Sequence, residues 1–345
     1  MERDRACELF DLHRAVTLYV APMPNPTIVL IHGAWADASS WNAVATDLQG
    51  KGFTVLAPPN LLHGVASDAA YVASFLAQRT SGPVVLAGHS YGGFVITNAG
   101  TGGGDVRALV YVDAFIPDEG ENVFGILGGS GSAFDIPDPT TVFDIVGYPG
   151  APEGDAEAFL KPDTVHRYFA QDLPETDRRL IAAGQRPITL GANTAPSGPA
   201  AWKTLPSWAV IGTEDKVIPP DTQRRMAERA GATITEVAGS HVSMVSHPQV
   251  TVEAILAAVT AVRYASEGPA RSLFASADAE SLRRLHPENP RIQRMTEGDR
   301  MIVSEPFSDL PGLWHEIPPS TAVTVRRGGV LEQQPFQPAS VALNA

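Results

Sequence analysis

The chain has 345 residues, 44% hydrophobic and 18% charged, a globular composition that excludes wholesale disorder. Its 38 acidic and 25 basic residues give a formal net charge of −13, which repels polyanions and argues against general affinity for nucleic acid or anionic membrane. The single cysteine, Cys7, allows neither an intramolecular disulfide nor a cysteine-built zinc site.

Residues 1–26 read as a flank. MERDRACELF mixes charge signs, and AVTLYVAP (15–22) is a weak match to a secretory core, so the expected location is cytoplasmic. No apolar run approaches the ~18 residues of a membrane span. From residue 27 strand-like runs alternate with helical patterns. The strands are TIVLI (27–31), FTVLAP (53–58), PVVLAG (83–88), ALVYVDA (108–114), SWAVIG (207–212) and ATITEVAG (232–239). The helical patterns fall at 39–50, 68–79, 91–100, 222–231 and 249–262. Near-continuous apolar strands suit a sheet covered on both faces, so residues 27–265 are expected to form an α/β domain with a doubly wound, mostly parallel sheet. The rhythm stops between about 118 and 204, too long a gap for a loop, and a partly helical cap is expected there. Residues 266–345 do not resume it. They read as an appendage, with a hairpin around Gly328-Gly329.

AGHSYGG (87–93) satisfies G-x-S-x-G between a strand and a helix, the context in which that motif carries chemistry. Glycines let the chain turn sharply, exposing the Ser90 hydroxyl at the C-terminal edge of the sheet beside a helix N-terminus. A serine hydroxyl needs a general base. His241, after the last strand in VAGSHVSM, is preferred to His247, which precedes Pro248 at the expected start of a helix. The base needs a carboxylate to fix its tautomer, and Asp215 in GTEDKVIPP lies at the correct sheet end, with Glu214 and Asp113 as alternatives. The order Ser, Asp, His is that of one triad class. The amide of Tyr91 is expected as one oxyanion donor and that of Ala34, or else Trp35, as the other. His32, His63, His89 and His166 read as structural. Trp35, Phe115, Phe124, Phe143 and Val242 are weaker expectations for pocket walls, and no residue suggests a metal site.

Together IVLIHGAW, GHSYGG, GTEDKVIPP and GSHVSM resemble the α/β-hydrolase superfamily, over about residues 27–263. Within it the chain is similar to the small-ester hydrolase branch of plant methyl esterases and hydroxynitrile lyases. That resemblance implies a cofactor-free, metal-free enzyme acting on a small ester, with Ser90, Asp215 and His241 catalytic and Ala34 and Tyr91 as oxyanion amides. The lyases carry threonine at the place of Gly33 and lysine at that of Val242, which disfavours lyase chemistry here. Ser90 stands where epoxide hydrolases and haloalkane dehalogenases need aspartate. An amidase, thioesterase or C–C hydrolase would use the same residues, and a ligand-binding protein on this scaffold is the remaining alternative. Oligomeric state is not legible. The stretch from RYASEGPARSLF to STAVTVRRGG resembles the closing segment of class II glutamine amidotransferases, and is expected to be a fragment without that family's catalytic half.

Overall fold

In the computed structural model the described residues are 25–265 and shorter stretches at 273–276, 278–290, 292–297, 302–303, 314–317, 321–326 and 330–335. Four strands open the main unit: β1 (Thr27–Ile31), β2 (Val55–Leu56), β3 (Pro83–His89) and β4 (Asp105–Val112). Three short ones, β5 (Phe143–Val146), β6 (Glu157–Leu160) and β7 (Ile188–Thr189), lie in the inserted segment, and β8 (Ser207–Gly212) and β9 (Thr233–Val237) complete the set. The main sheet has six strands in the order β2-β1-β3-β4-β8-β9, and every pairing in it is parallel.

Helices α1 (Asn42–Gly50), α2 (Val65–Arg79) and α3 (Gly92–Ala99) connect the first four strands, as the periodicity predicts. From β1 the chain passes to β2 on one side, then returns to β3 on the other. That reversal opens a crevice beyond the C-terminal ends of β1 and β3, where open α/β sheets place their ligands. All five β1 residues are buried, and the core runs on through Trp41, Leu86, Phe94 and Val110.

The inserted segment departs from expectation. Where DAEAFLKPDTVHRYFAQ reads as helical, Glu157–Leu160 is a strand, and helix is confined to a short α-helical turn at Pro162–Thr164 that continues as a π-helical turn over Val165–Phe169. Strands β5, β6 and β7 form an antiparallel sheet, with Phe143 opposite Leu160 and Ala158 opposite Ile188. Buried Ala158 and Leu160 alternate with less buried Glu157 and Phe159, a period of two masked by helix-favouring residue types. Glu175–Gly184 is the longest helix of the inserted segment.

The residues divide into two compact units at Tyr264 and Ala265. In the second, Leu273–Ser276 pairs antiparallel with Ile302–Val303 and Trp314–Ile317. Thr321–Arg326 pairs antiparallel with Val330–Pro335, with Arg326 opposite Val330. Gly328 and Gly329 of the expected hairpin turn lie outside the described residues, as does the flank before Asn25. Among the described residues no helix is long and apolar enough to cross a membrane.

Candidate active site

Strand β3 ends at His89 and α3 begins at Gly92, so Ser90 occupies the turn between them, at φ 52 and 2% exposed. Left-handed backbone at a non-glycine residue is strained, and the surroundings hold it there. A Cβ on Gly88 would lie 2.6 Å from the carbonyl oxygen of Gly92, and one on Gly92 would lie 2.6 Å from that of Ile31. Only hydrogen at these positions lets strand, turn and helix close together.

His241 is fully buried, with Nε2 2.8 Å from Ser90 Oγ and Nδ1 2.8 Å from Asp215 Oδ2. Asp215 is fixed by three further donors. The amides of Val217 and Ile218 donate to Oδ1 at 2.8 and 3.0 Å, and Gln223 Nε2 donates to Oδ2 at 2.7 Å. With both oxygens occupied the carboxylate cannot rotate away, and its bond to Nδ1 leaves Nε2 facing the hydroxyl.

The alternatives separate on geometry. The Glu214 side chain is exposed, and His247 Nδ1 meets Ser246 Oγ at 2.9 Å in front of the helix that starts at Pro248. Asp113 is buried at φ 45 and ties two loops together, accepting the amide of Gly212 at 2.7 Å and that of Ser243 at 2.8 Å. Burial, and then the charge of Asp215, push its carboxyl up from 3.8 to about 7. A raised carboxyl means that the folded state keeps its proton while the unfolded state releases it. Its stabilising contribution is therefore complete below about pH 4 and is lost as pH rises to about 7. In urea unfolding between those limits, wild type is expected to lose stability relative to Asp113→Asn as pH rises; parallel pH profiles would contradict this assignment.

His32 and His89 brace the loops around the site. His32 Nδ1 donates to the Gly33 carbonyl at 2.9 Å while Nε2 accepts the Asn60 amide at 2.9 Å, so its tautomer is fixed, and burial holds its pKa down. His89 is held well below the usual range by burial, and its Nε2 donates to the His241 carbonyl at 2.7 Å. His63 lies 3.8 Å from Glu157, and His166 is on the cap's π-helical turn.

Of the two expected choices for the second amide donor, Trp35 is excluded. Its amide donates to the Arg186 carbonyl at 2.8 Å, and its indole N–H donates to the Ala158 carbonyl at 2.8 Å. Among the described residues the amides of Ala34 and Tyr91 have no protein acceptor. The Tyr91 hydroxyl donates to buried Asp68 at 2.9 Å, which pins the residue that carries one of these amides. The inserted segment also grips the loops that carry Asp215 and His241. Gln171 Nε2 donates to the Glu214 carbonyl at 2.7 Å, and Asp172 Oδ2 accepts the Ser240 amide at 3.0 Å.

Beside Ser90 lies a narrow cleft, partly open to solvent and lined by Ala34, Trp35, Tyr91, Phe115, Val123, Leu127, Phe134, Ile188, Asn193 and Val217. Of the five residues expected as pocket walls, Trp35 and Phe115 line this cleft, and Phe124, Phe143 and Val242 do not. Phe124 is 53% exposed, because the short helix Val123–Leu127 turns residues 123 and 127 inward. Phe143 stacks behind Trp35, with ring centroids 5.6 Å apart, and does not reach the cleft. Val242 is buried at the start of the helix Ser243–Ser246, outside the lining. Asn122, whose side chain caps the Gly125 amide, was the signal that would have set the helix phase.

The sequence pattern of the alpha/beta hydrolase family matches residues 28–254. A carbendazim hydrolyzing esterase of Nocardioides sp. (strain SG-4G) is 34% identical over 113 residues, 29% of this chain and 46% of that esterase, so the match spans about half of that relative's length. The alpha/beta hydrolase nvfD of Aspergillus novofumigatus (strain IBT 16806) is 24% identical over 68% of this chain and 96% of its own. Polyneuridine aldehyde esterase has a similar fold, with a TM-score of 0.57 and 21% identity over 68% of this chain and 98% of its own. So does the methylesterase MES16 from Arabidopsis, with a TM-score of 0.54 and 19% identity over 68% of this chain and 99% of its own.

Proposed function

Since this chain belongs to the alpha/beta hydrolase family, we propose that it is a serine hydrolase that cleaves small carboxylic esters through an acyl-enzyme. The observation that carries the reading is the unbroken relay from Ser90 Oγ through His241 to Asp215, two contacts of 2.8 Å among buried groups. Ser90 Oγ attacks the ester carbonyl as His241 Nε2 takes its proton. The oxygen of the tetrahedral intermediate is held by the amides of Ala34 and Tyr91, the latter at the N-terminus of α3. Collapse expels the alkoxide, which leaves as an alcohol after accepting the proton from His241. Water, deprotonated by the same nitrogen, then attacks the acyl-enzyme, and the acid is released as Ser90 is restored. Asp215 orients the imidazole and stabilises its cation throughout.

The names of the relatives, three of the four being esterases, support ester rather than amide or thioester chemistry. Lyase chemistry fits poorly, since a Cβ on Gly33 would meet Ser90 Cβ at 2.6 Å and leaves no room for a side chain. The test is stopped-flow hydrolysis of 4-nitrophenyl acetate. A burst of about one nitrophenolate per chain is expected before the steady state, and a linear trace with thioesters or amides preferred would overturn the ester assignment.

Every residue with a role in this reading lies between 32 and 243. We propose that residues 27–265, with their cap, suffice for activity and that the amidotransferase-like segment adds no catalytic group. A chain ended after Ala265 is expected to keep kcat/KM within about twofold, as steady-state assays would show. Loss of activity in a folded truncation would contradict the division.

A further inference from the structure

The cleft beside Ser90 is walled by apolar side chains, and two of its polar groups are already committed. The Trp35 indole donates to the Ala158 carbonyl and the Tyr91 hydroxyl to Asp68. Ser90 apart, Asn193 is the other polar side chain in the lining, and it is only 7% exposed. Its Nδ2 donates to the Thr189 carbonyl at 3.0 Å, and no donor among the described residues reaches Oδ1. The mounting is firm. Thr189 Oγ1 accepts the Ala192 amide at 3.1 Å, the Gly191 amide donates to Asp155 at 2.9 Å, and the Thr189 amide donates to the Leu62 carbonyl at 3.0 Å.

A fixed acceptor among apolar walls discriminates by what it loses. A ligand that displaces water and offers no donor leaves the oxygen unpaired, whereas a ligand with one O–H or N–H satisfies it. We infer that Asn193 is a specificity-determining residue whose Oδ1 accepts a hydrogen bond from an O–H or N–H group of an otherwise apolar ester. This rests on the reading of Ser90 as an ester-cleaving nucleophile.

The test uses the full chain and 4-nitrophenyl alkanoates carrying a hydroxyl or an acetamido N–H at successive carbons. Each is paired with its O-methyl or N-methyl twin, so that the two donor types are read separately. Wild type is expected to favour the donor-bearing member of at least one pair by about tenfold in kcat/KM. Asn193→Leu is expected to bring that ratio to about one, and Asn193→Asp, which keeps the acceptor, to preserve it. The ratio cancels any general change in activity. No preference in wild type at any position, or an unchanged ratio in Asn193→Leu, overturns the inference. Calorimetric binding of the same pairs to Ser90→Ala reads the hydrogen bond without turnover. If no ester is cleaved, the nucleophile reading fails, and that binding ratio alone decides the role of Asn193.

Discussion

Replacing Ser90 by alanine is expected to lower kcat/KM for aryl esters by about 10⁶-fold, because the oxygen removed forms its bond only after substrate is seated. The fold should persist. Ser90 already holds a strained φ of 52, and alanine keeps the Cβ that packs near Gly33 while removing only the hydroxyl. His241→Ala should cost about as much, and the double variant no more than either single one, since a relay missing one member is already broken. Steady-state kinetics on the three proteins checks this; additive losses would show that the two side chains act separately.

Gly93→Ala is expected to be the most damaging small substitution, costing about 3 kcal/mol or more in urea unfolding. The added methyl would lie 2.0 Å from the carbonyl oxygen of Phe115 and 3.2 Å from Ala114 Cβ. Neither neighbour can retreat cheaply. The Phe115 amide donates back to the Ser90 carbonyl at 3.3 Å, so the loop after β4 is tied to the turn at Ser90. Gly50→Ala is the matched control. It ends α1 with nothing within 4 Å of an added Cβ, so it should be neutral or stabilising by up to about 1 kcal/mol. Equal effects of the two substitutions would contradict the close packing described for the turn.

What could be read in advance depended on how local each signal is. The strands of the main sheet are short apolar runs flanked by turn residues, and G-x-S-x-G at 88–92 declares its own backbone, because bulkier residues cannot make that turn. The His241 and Asp215 contacts were approachable because the ends of parallel strands converge on one edge. The missed features depend on partners far away in sequence. Trp35 as an amide donor was excluded only by its bond to the Arg186 carbonyl. Gln223 shows nothing in its local pattern of the bond it makes to Asp215 across a turn. The cap sheet hid because Glu157–Leu160 carries helix-favouring residues in a strand, where pairing with β5 and β7 outweighs propensity. Asn193 stands out only once apolar walls from segments far apart in sequence surround it.

The most direct test of the relay is covalent. After exposure to a fluorophosphonate, the intact mass of the wild-type chain is expected to rise by a single phosphonyl adduct, located on Ser90 by peptide mapping, while Ser90→Ala stays unmodified and His241→Ala reacts far more slowly. An unlabelled wild type, or the same adduct on Ser90→Ala, would contradict the assignment of Ser90 as nucleophile.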